Sequence, residues 1–177
     1  MAAGARKGER HETADEAVAS PGMDVIEILT EDHRNVEDPF DEYESAKDEA
    51  EDDAKAELVA QICLELVMHA TIEEEIFYPA ARDALEQQDT DLVDEAAVEH
   101  TTVKYLIAEL SDMQPSDALY DAHVKVLREY VKHHVEEEEG EIFPALRETG
   151  LDLHALGEEV AMRKQELRDE LAAAESE

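Results

Sequence analysis

Residues 58–82 read LVAQICLELVMHATIEEEIFYPAAR, and this stretch decides the fold. Leu58, Ile62, Leu66, His69, Glu73, Ile76 and Ala80 recur at steps of three and four, the stripe of an amphipathic helix. A histidine and a glutamate stand in that stripe where apolar residues belong. A charged carboxylate at a core position costs on the order of several kcal/mol unless it is paired or binds a metal.

The same arrangement returns further along the chain. His69, Glu73, Glu74, Pro79, Ala80 and Arg82 reappear as His134, Glu138, Glu139, Pro144, Ala145 and Arg147, an offset of 65. The flanking segments repeat too: Asp32-His33 with Val36 matches Glu99-His100 with Val103 at an offset of 67. Four stripes result. The first runs Ile26, Leu29, His33, Val36, Phe40, Tyr43, and the third Val93, Ala96, His100, Val103, Ile107, Leu110. The fourth runs Leu119, His123, Leu127, Val131, His134, Glu138, Ile142.

Asp48 to Asp53 and Met113-Gln114-Pro115-Ser116 separate these stripes as turns, and connections this short make sequential helices antiparallel. The expected fold is all-α, an up-down-up-down antiparallel four-helix bundle over residues 23–148. An extra C-terminal helix follows within 149–177, with Leu153, Leu156, Val160 and Leu167 apolar. Residues 1–22, aperiodic and closed by Ser20-Pro21-Gly22, are expected to form a flexible tail. Pro39 falls inside the first helix, where a proline removes a hydrogen bond.

Composition agrees. Six glycines, five prolines and 5% aromatics are too few for a sandwich or barrel. The net charge of -34 would repel nucleic acid and anionic membranes, and salt screening would ease its self-repulsion. No apolar run reaches the length of a membrane span, and no secretory signal opens the chain, so a cytoplasmic location is expected. The lone Cys63 excludes disulfides within the chain and reads as a small core residue.

His-x-x-x-Glu spacing puts both side chains on one helix face. In so acidic a chain the spacing also occurs at His33/Glu37, His133/Glu137 and His154/Glu158, so the repeat, not the motif, discriminates. Two halves, each giving a lone histidine and a histidine–glutamate pair, would meet about a pseudo-twofold axis. Imidazole with carboxylate suits iron, manganese or zinc. His123, about 16 Å from His134 along its helix, belongs to a core or boundary position. His11, His133 and His154 read as surface residues, Glu37, Glu74 and Glu139 as solvated ones, with a bridge from Glu74 or Glu139 as the alternative. Tyr43, Tyr78, Tyr105 and Tyr130 read as packing residues.

These segments together (Glu31-Asp32-His33, His69-x-x-x-Glu73-Glu74 with Ile76-Phe77-Tyr78-Pro79, Glu99-His100, and His134-x-x-x-Glu138-Glu139 with Ile142-Phe143-Pro144) resemble the hemerythrin-like, or HHE cation-binding, domain family over residues 24–148. The resemblance implies two non-haem iron ions in an oxo- or hydroxo-bridged centre. His33, His69, His100 and His134 would be terminal ligands, and Glu73 and Glu138 bridges. It implies dioxygen, or a related peroxide or nitric oxide ligand, as the partner in sensing, storage or stress defence. An enzyme of this kind would be a peroxide- or nitric-oxide-directed oxidoreductase, and iron handling without redox turnover is the alternative. Oxygen-carrying members have a fifth histidine where Lys104 stands here, four residues after His100. Tyr105 is the neighbouring residue to test near the position this leaves open.

Overall fold

The structure is a computed structural model and describes residues 22–174. The expected tail lies outside these residues except for Gly22. Seven α-helices and two π-helical turns account for nearly all of it, and no strand occurs among the described residues. The helices are α1 (Val25–Ala46), α2 (Asp52–Ile72), α3 (Tyr78–Ala84), α4 (Gln87–Ser111), α5 (Tyr120–Glu137), α6 (Phe143–Arg147) and α7 (Leu153–Ala174). Glu73–Phe77 joins α2 to α3 as a π turn, and Glu138–Ile142 joins α5 to α6 in the same way.

Asp24 starts α1 with a full capping box. Its side chain accepts from the Glu27 N–H while the Glu27 carboxylate accepts from the Asp24 N–H, each at 2.9 Å. The helix then continues through Pro39 to Ala46. α1 packs on α2, α4 on α5, α2 on α4, and α7 on α1 and α2. None of the described helices is long and apolar enough to cross a membrane.

Each π turn has a cause legible in the chain. Pro79 and Pro144 bring no N–H, and their rings would press on the carbonyls four residues back, at Glu75 and Gly140. Ahead of each proline the ladder widens: the Tyr78 N–H donates to the Glu73 carbonyl and the Phe143 N–H to that of Glu138. One residue is thereby added to the turn, which rotates the helix beyond it. The stripe predicted to continue through Ile76 and Ala80 instead buries Phe77, Tyr78 and Ala81, leaving Ile76 and Ala80 partly covered.

Two apolar cores result. One gathers Val25, Leu29, Phe77, Tyr78, Phe143 and Leu146 under α7, with Leu156 and Val160. The other gathers Val36, Phe40, Ile62, Leu66, Leu127 and Val131 toward the α1–α2 connection. Leu119, expected on the fourth stripe, is exposed at the start of α5. Between the two cores lies a polar layer.

Candidate metal centre

That layer contains all six residues predicted as ligands. His33 comes from α1, His69 from α2, His100 from α4 and His134 from α5, while Glu73 and Glu138 each open a π turn. The four histidines are buried and both glutamates are fully inaccessible. The chain thus removes two carboxylates from water at positions four residues beyond a histidine.

The inner atoms converge. Nε2 of His33 lies 3.2 Å from Oε2 of Glu138, and Nε2 of His69 and of His100 each lie 3.2 Å from Oε2 of Glu73. Nε2 of His134 is 3.6 Å from Oε2 of Glu138 and 3.1 Å from Nε2 of His100. Yet Nε2 of His33, both nitrogens of His69, both oxygens of Glu73 and Oε2 of Glu138 make no hydrogen bond. Buried polar atoms without partners are rare because each costs about 1–3 kcal/mol. So many of them around one small volume fit a cation that they would share. Within this layer two sets of ligand atoms converge, those of each set within 4.8 Å of one another: His33, His69, Glu73 and Glu138, and then Glu73, His100 and His134; a third set, Glu99, His133 and Glu137, lies outside it and includes the exposed His133.

Outside this ring stands a second ring of carboxylates. Nδ1 of His33 lies 2.9 Å from Glu139, that of His100 3.1 Å from Glu74, and that of His134 2.9 Å from Glu99. An outer hydrogen bond of this kind fixes the tautomer and turns the other nitrogen inward. Glu139 is held in turn by Arg34, and Glu74 by Lys104. Glu74 and Glu139, expected to be solvated, are supports as well: Glu74 is exposed as expected, and Glu139 is partly buried. Their recurrence beside each bridging glutamate was the available signal. On the fourth histidine, Nδ1 of His69 faces Asp32 at 3.8 Å, and Asp32 is ion-paired with the buried Lys164 of α7.

The two glutamates differ. The Tyr78 hydroxyl donates to Oε1 of Glu138 at 2.9 Å and lies 3.3 Å from Nε2 of His100. Phe143, at the matching place in the second half, stacks on His33 with no hydroxyl to offer Glu73. Burial, reinforced by the nearby Glu138 carboxylate, pushes Glu73 well above the usual carboxylate range. Burial also acts to raise Glu138, but the His134 and His33 imidazoles outweigh it and hold Glu138 low. Desolvation tends to lower His33, yet Glu138 and Glu139 raise it to about 10. His69 is pushed down to about 4 by desolvation, against the pull of Asp32.

Lys104 points outward into its ion pair with Glu74, and Tyr105 is exposed and bonds Glu109. His123 sits at the boundary, bonded to Glu109, as read from the sequence. His133 is exposed beside Glu99 and Glu137. Against the histidine layer lies a cavity of about 20 Å³ lined by the four histidines, Asp32 and apolar residues including Val36, Leu66 and Val131.

Comparison with known proteins agrees with this geometry. A DNA nickase from Nostoc sp. is 30% identical over 125 residues, covering 71% of this chain and 34% of the relative. An uncharacterised hemerythrin-like protein from Schizosaccharomyces pombe is 24% identical over 122 residues, covering 69% of this chain and 59% of the relative. The chain therefore spans about a third of the first relative and three-fifths of the second. The crystal structure of a hemerythrin HHE cation-binding domain-containing protein from Mycobacterium kansasii superimposes with a TM-score of 0.69 at 25% identity, covering 84% of this chain and 89% of that one. The model of the hemerythrin HHE cation-binding domain matches residues 24–146, so this chain belongs to that family.

Proposed function

We propose that the polar layer holds two iron ions and that the protein binds or responds to dioxygen or a related small oxidant such as peroxide or nitric oxide. His33 and His69 would hold one ion and His100 and His134 the other, with Glu73 and Glu138 offering carboxylates to both. The observation that carries this reading is the set of buried, unbonded imidazole and carboxylate atoms facing one another across the layer. Iron suits a mixed imidazole–carboxylate set and supplies one-electron chemistry toward small oxidants.

The residues of this chain do the rest. Glu139, Glu74 and Glu99 hold three imidazoles with the proton on Nδ1 and Nε2 directed inward. Tyr78 holds Glu138 in place, and its hydroxyl lies 3.3 Å from Nε2 of His100. The cavity of about 20 Å³ between the histidines and the apolar side chains of Val36, Leu66 and Val131 has room for one water-sized or diatomic ligand. Storage of many ions would need an interior far larger than this, which favours ligand chemistry over iron storage. The net charge of -34 opposes a nucleic-acid role of the kind that the Nostoc relative's name describes.

The test is to purify the protein, measure bound iron, reduce it anaerobically and admit oxygen. Reversible visible absorption supports carriage or sensing; consumption of peroxide with turnover supports an oxidoreductase. A protein that binds no iron under any condition overturns the reading.

A further inference from the structure

Three of the four site histidines have a carboxylate within hydrogen-bonding distance of Nδ1, at 2.9–3.1 Å. The fourth does not. Nδ1 of His69 and Oδ2 of Asp32 stand 3.8 Å apart, and both atoms are buried without a hydrogen-bond partner. By sequence Asp32 is the counterpart of Glu99, since each directly precedes a site histidine, and Glu99 braces His134. What differs is the cation. Asp32 is ion-paired through its other oxygen with Lys164, and Lys164 is buried, only 6% exposed. Lys164 belongs to α7, beyond the residues that the family model matches. A buried ammonium is not free to leave a carboxylate for water, so Asp32 is held where the lysine is.

We propose that Lys164 is a positioning residue for the metal centre. By holding Asp32 away from His69 it leaves that imidazole unbraced, and the His33–His69 position is the weaker and later filled of the two. This rests on the two-metal reading above. Loss of an outer partner of a ligating histidine typically lowers metal affinity by about 10–100-fold, which sets the expected gap between the two steps.

The test is an anaerobic titration of the metal-free full chain with Co(II), following heat and visible absorption. Two steps separated by about tenfold or more are expected. His69→Ala should remove the weaker step and His134→Ala the stronger. Lys164→Met frees Asp32 to accept from His69, so the weaker step alone should tighten by about tenfold. Lys164→Arg keeps the ion pair and should keep the wild-type gap. Tightening of both steps together would mark a plain charge effect and overturn the proposal.

Should Lys164→Met fail to fold, the Asp32→Leu/Lys164→Met double variant decides, because an apolar pair commonly replaces a buried ion pair without loss of stability. Its weaker step should stay within about twofold of wild type, and a loss of about tenfold would show that Asp32 braces His69 after all. Two equal steps in the wild-type protein overturn this inference alone. Absence of any bound ion overturns the two-metal reading and this inference with it.

Discussion

The Tyr78 hydroxyl donates to Oε1 of Glu138 at 2.9 Å, so a side chain just past the first π turn supports the glutamate that opens the second. Tyr78→Phe would leave that carboxylate oxygen buried and without a donor. The expected loss in the metal-free protein is about 1–3 kcal/mol, read from urea denaturation. A variant as stable as the parent would mean that water replaces the hydroxyl.

Outer carboxylates should matter in proportion to their burial. Glu99 is well covered, with its side chain 13% exposed, and bonds His134 at 2.9 Å. Glu99→Ala should weaken metal binding by about 10–100-fold, measured by competition with a chelator. Arg34, half exposed, reaches His33 only through Glu139. Arg34→Ala should cost far less, and its effect should shrink as salt is raised.

The metal-free protein should be most stable near the ordinary histidine pKa and lose stability on either side. His33 is raised to about 10, so the folded state holds its proton more tightly. That contribution is complete below about pH 6.5 and fades as pH rises toward 10. His69 is lowered to about 4, so the unfolded state binds the proton better. Its contribution is complete above about pH 6.5 and fades as pH falls toward 4. Denaturant midpoints of the chelator-treated protein across this range check both limbs. A monotonic curve would contradict the opposed shifts.

Gly157 tests how α7 is seated. Glycine to alanine inside a helix ordinarily stabilises by about 0.5–1 kcal/mol. A Cβ at position 157, however, would meet the Met23 carbonyl oxygen at 2.6 Å and the Val25 nitrogen at 2.9 Å, both backbone atoms. Neither can rotate aside. The steric clash should win, and Gly157→Ala is expected to destabilise by about 1–3 kcal/mol, lowering Tm by roughly 2–4 °C per kcal/mol.

Much of this was legible in the chain. The bundle followed from apolar periodicity, and the six inner residues from charged groups standing in apolar stripes twice over. His69 and Glu73 alone would have been one chance match among several in so acidic a sequence; the return of Pro79 and Arg82 as Pro144 and Arg147 gave them weight. The π turns escaped because a stripe counted at 3.6 residues per turn has no place for an added residue, although the two prolines announced it.

Lys164 was missed for another reason. It lies on the stripe Leu156, Val160, Lys164, Leu167, the same signature that exposed the histidines. A long amphipathic lysine in a terminal helix reads as a solvated edge unless its partner is known, and Asp32 lies 132 residues away. Glu74 and Glu139 escaped because a carboxylate that supports a ligand from the half-exposed side leaves no hydrophobic gap in the pattern.

The polar layer divides the interior into two apolar blocks, one beneath α7 and one toward the α1–α2 connection. Hydrophobic burial acts within each block but not across the seam, where only part of the polar groups find partners in the protein. The ends of the molecule are coupled through the helices they share, and whatever binds the seam would add to that coupling. Loading would act as a rivet through the bundle, tying four helices together at the one level where apolar packing does not.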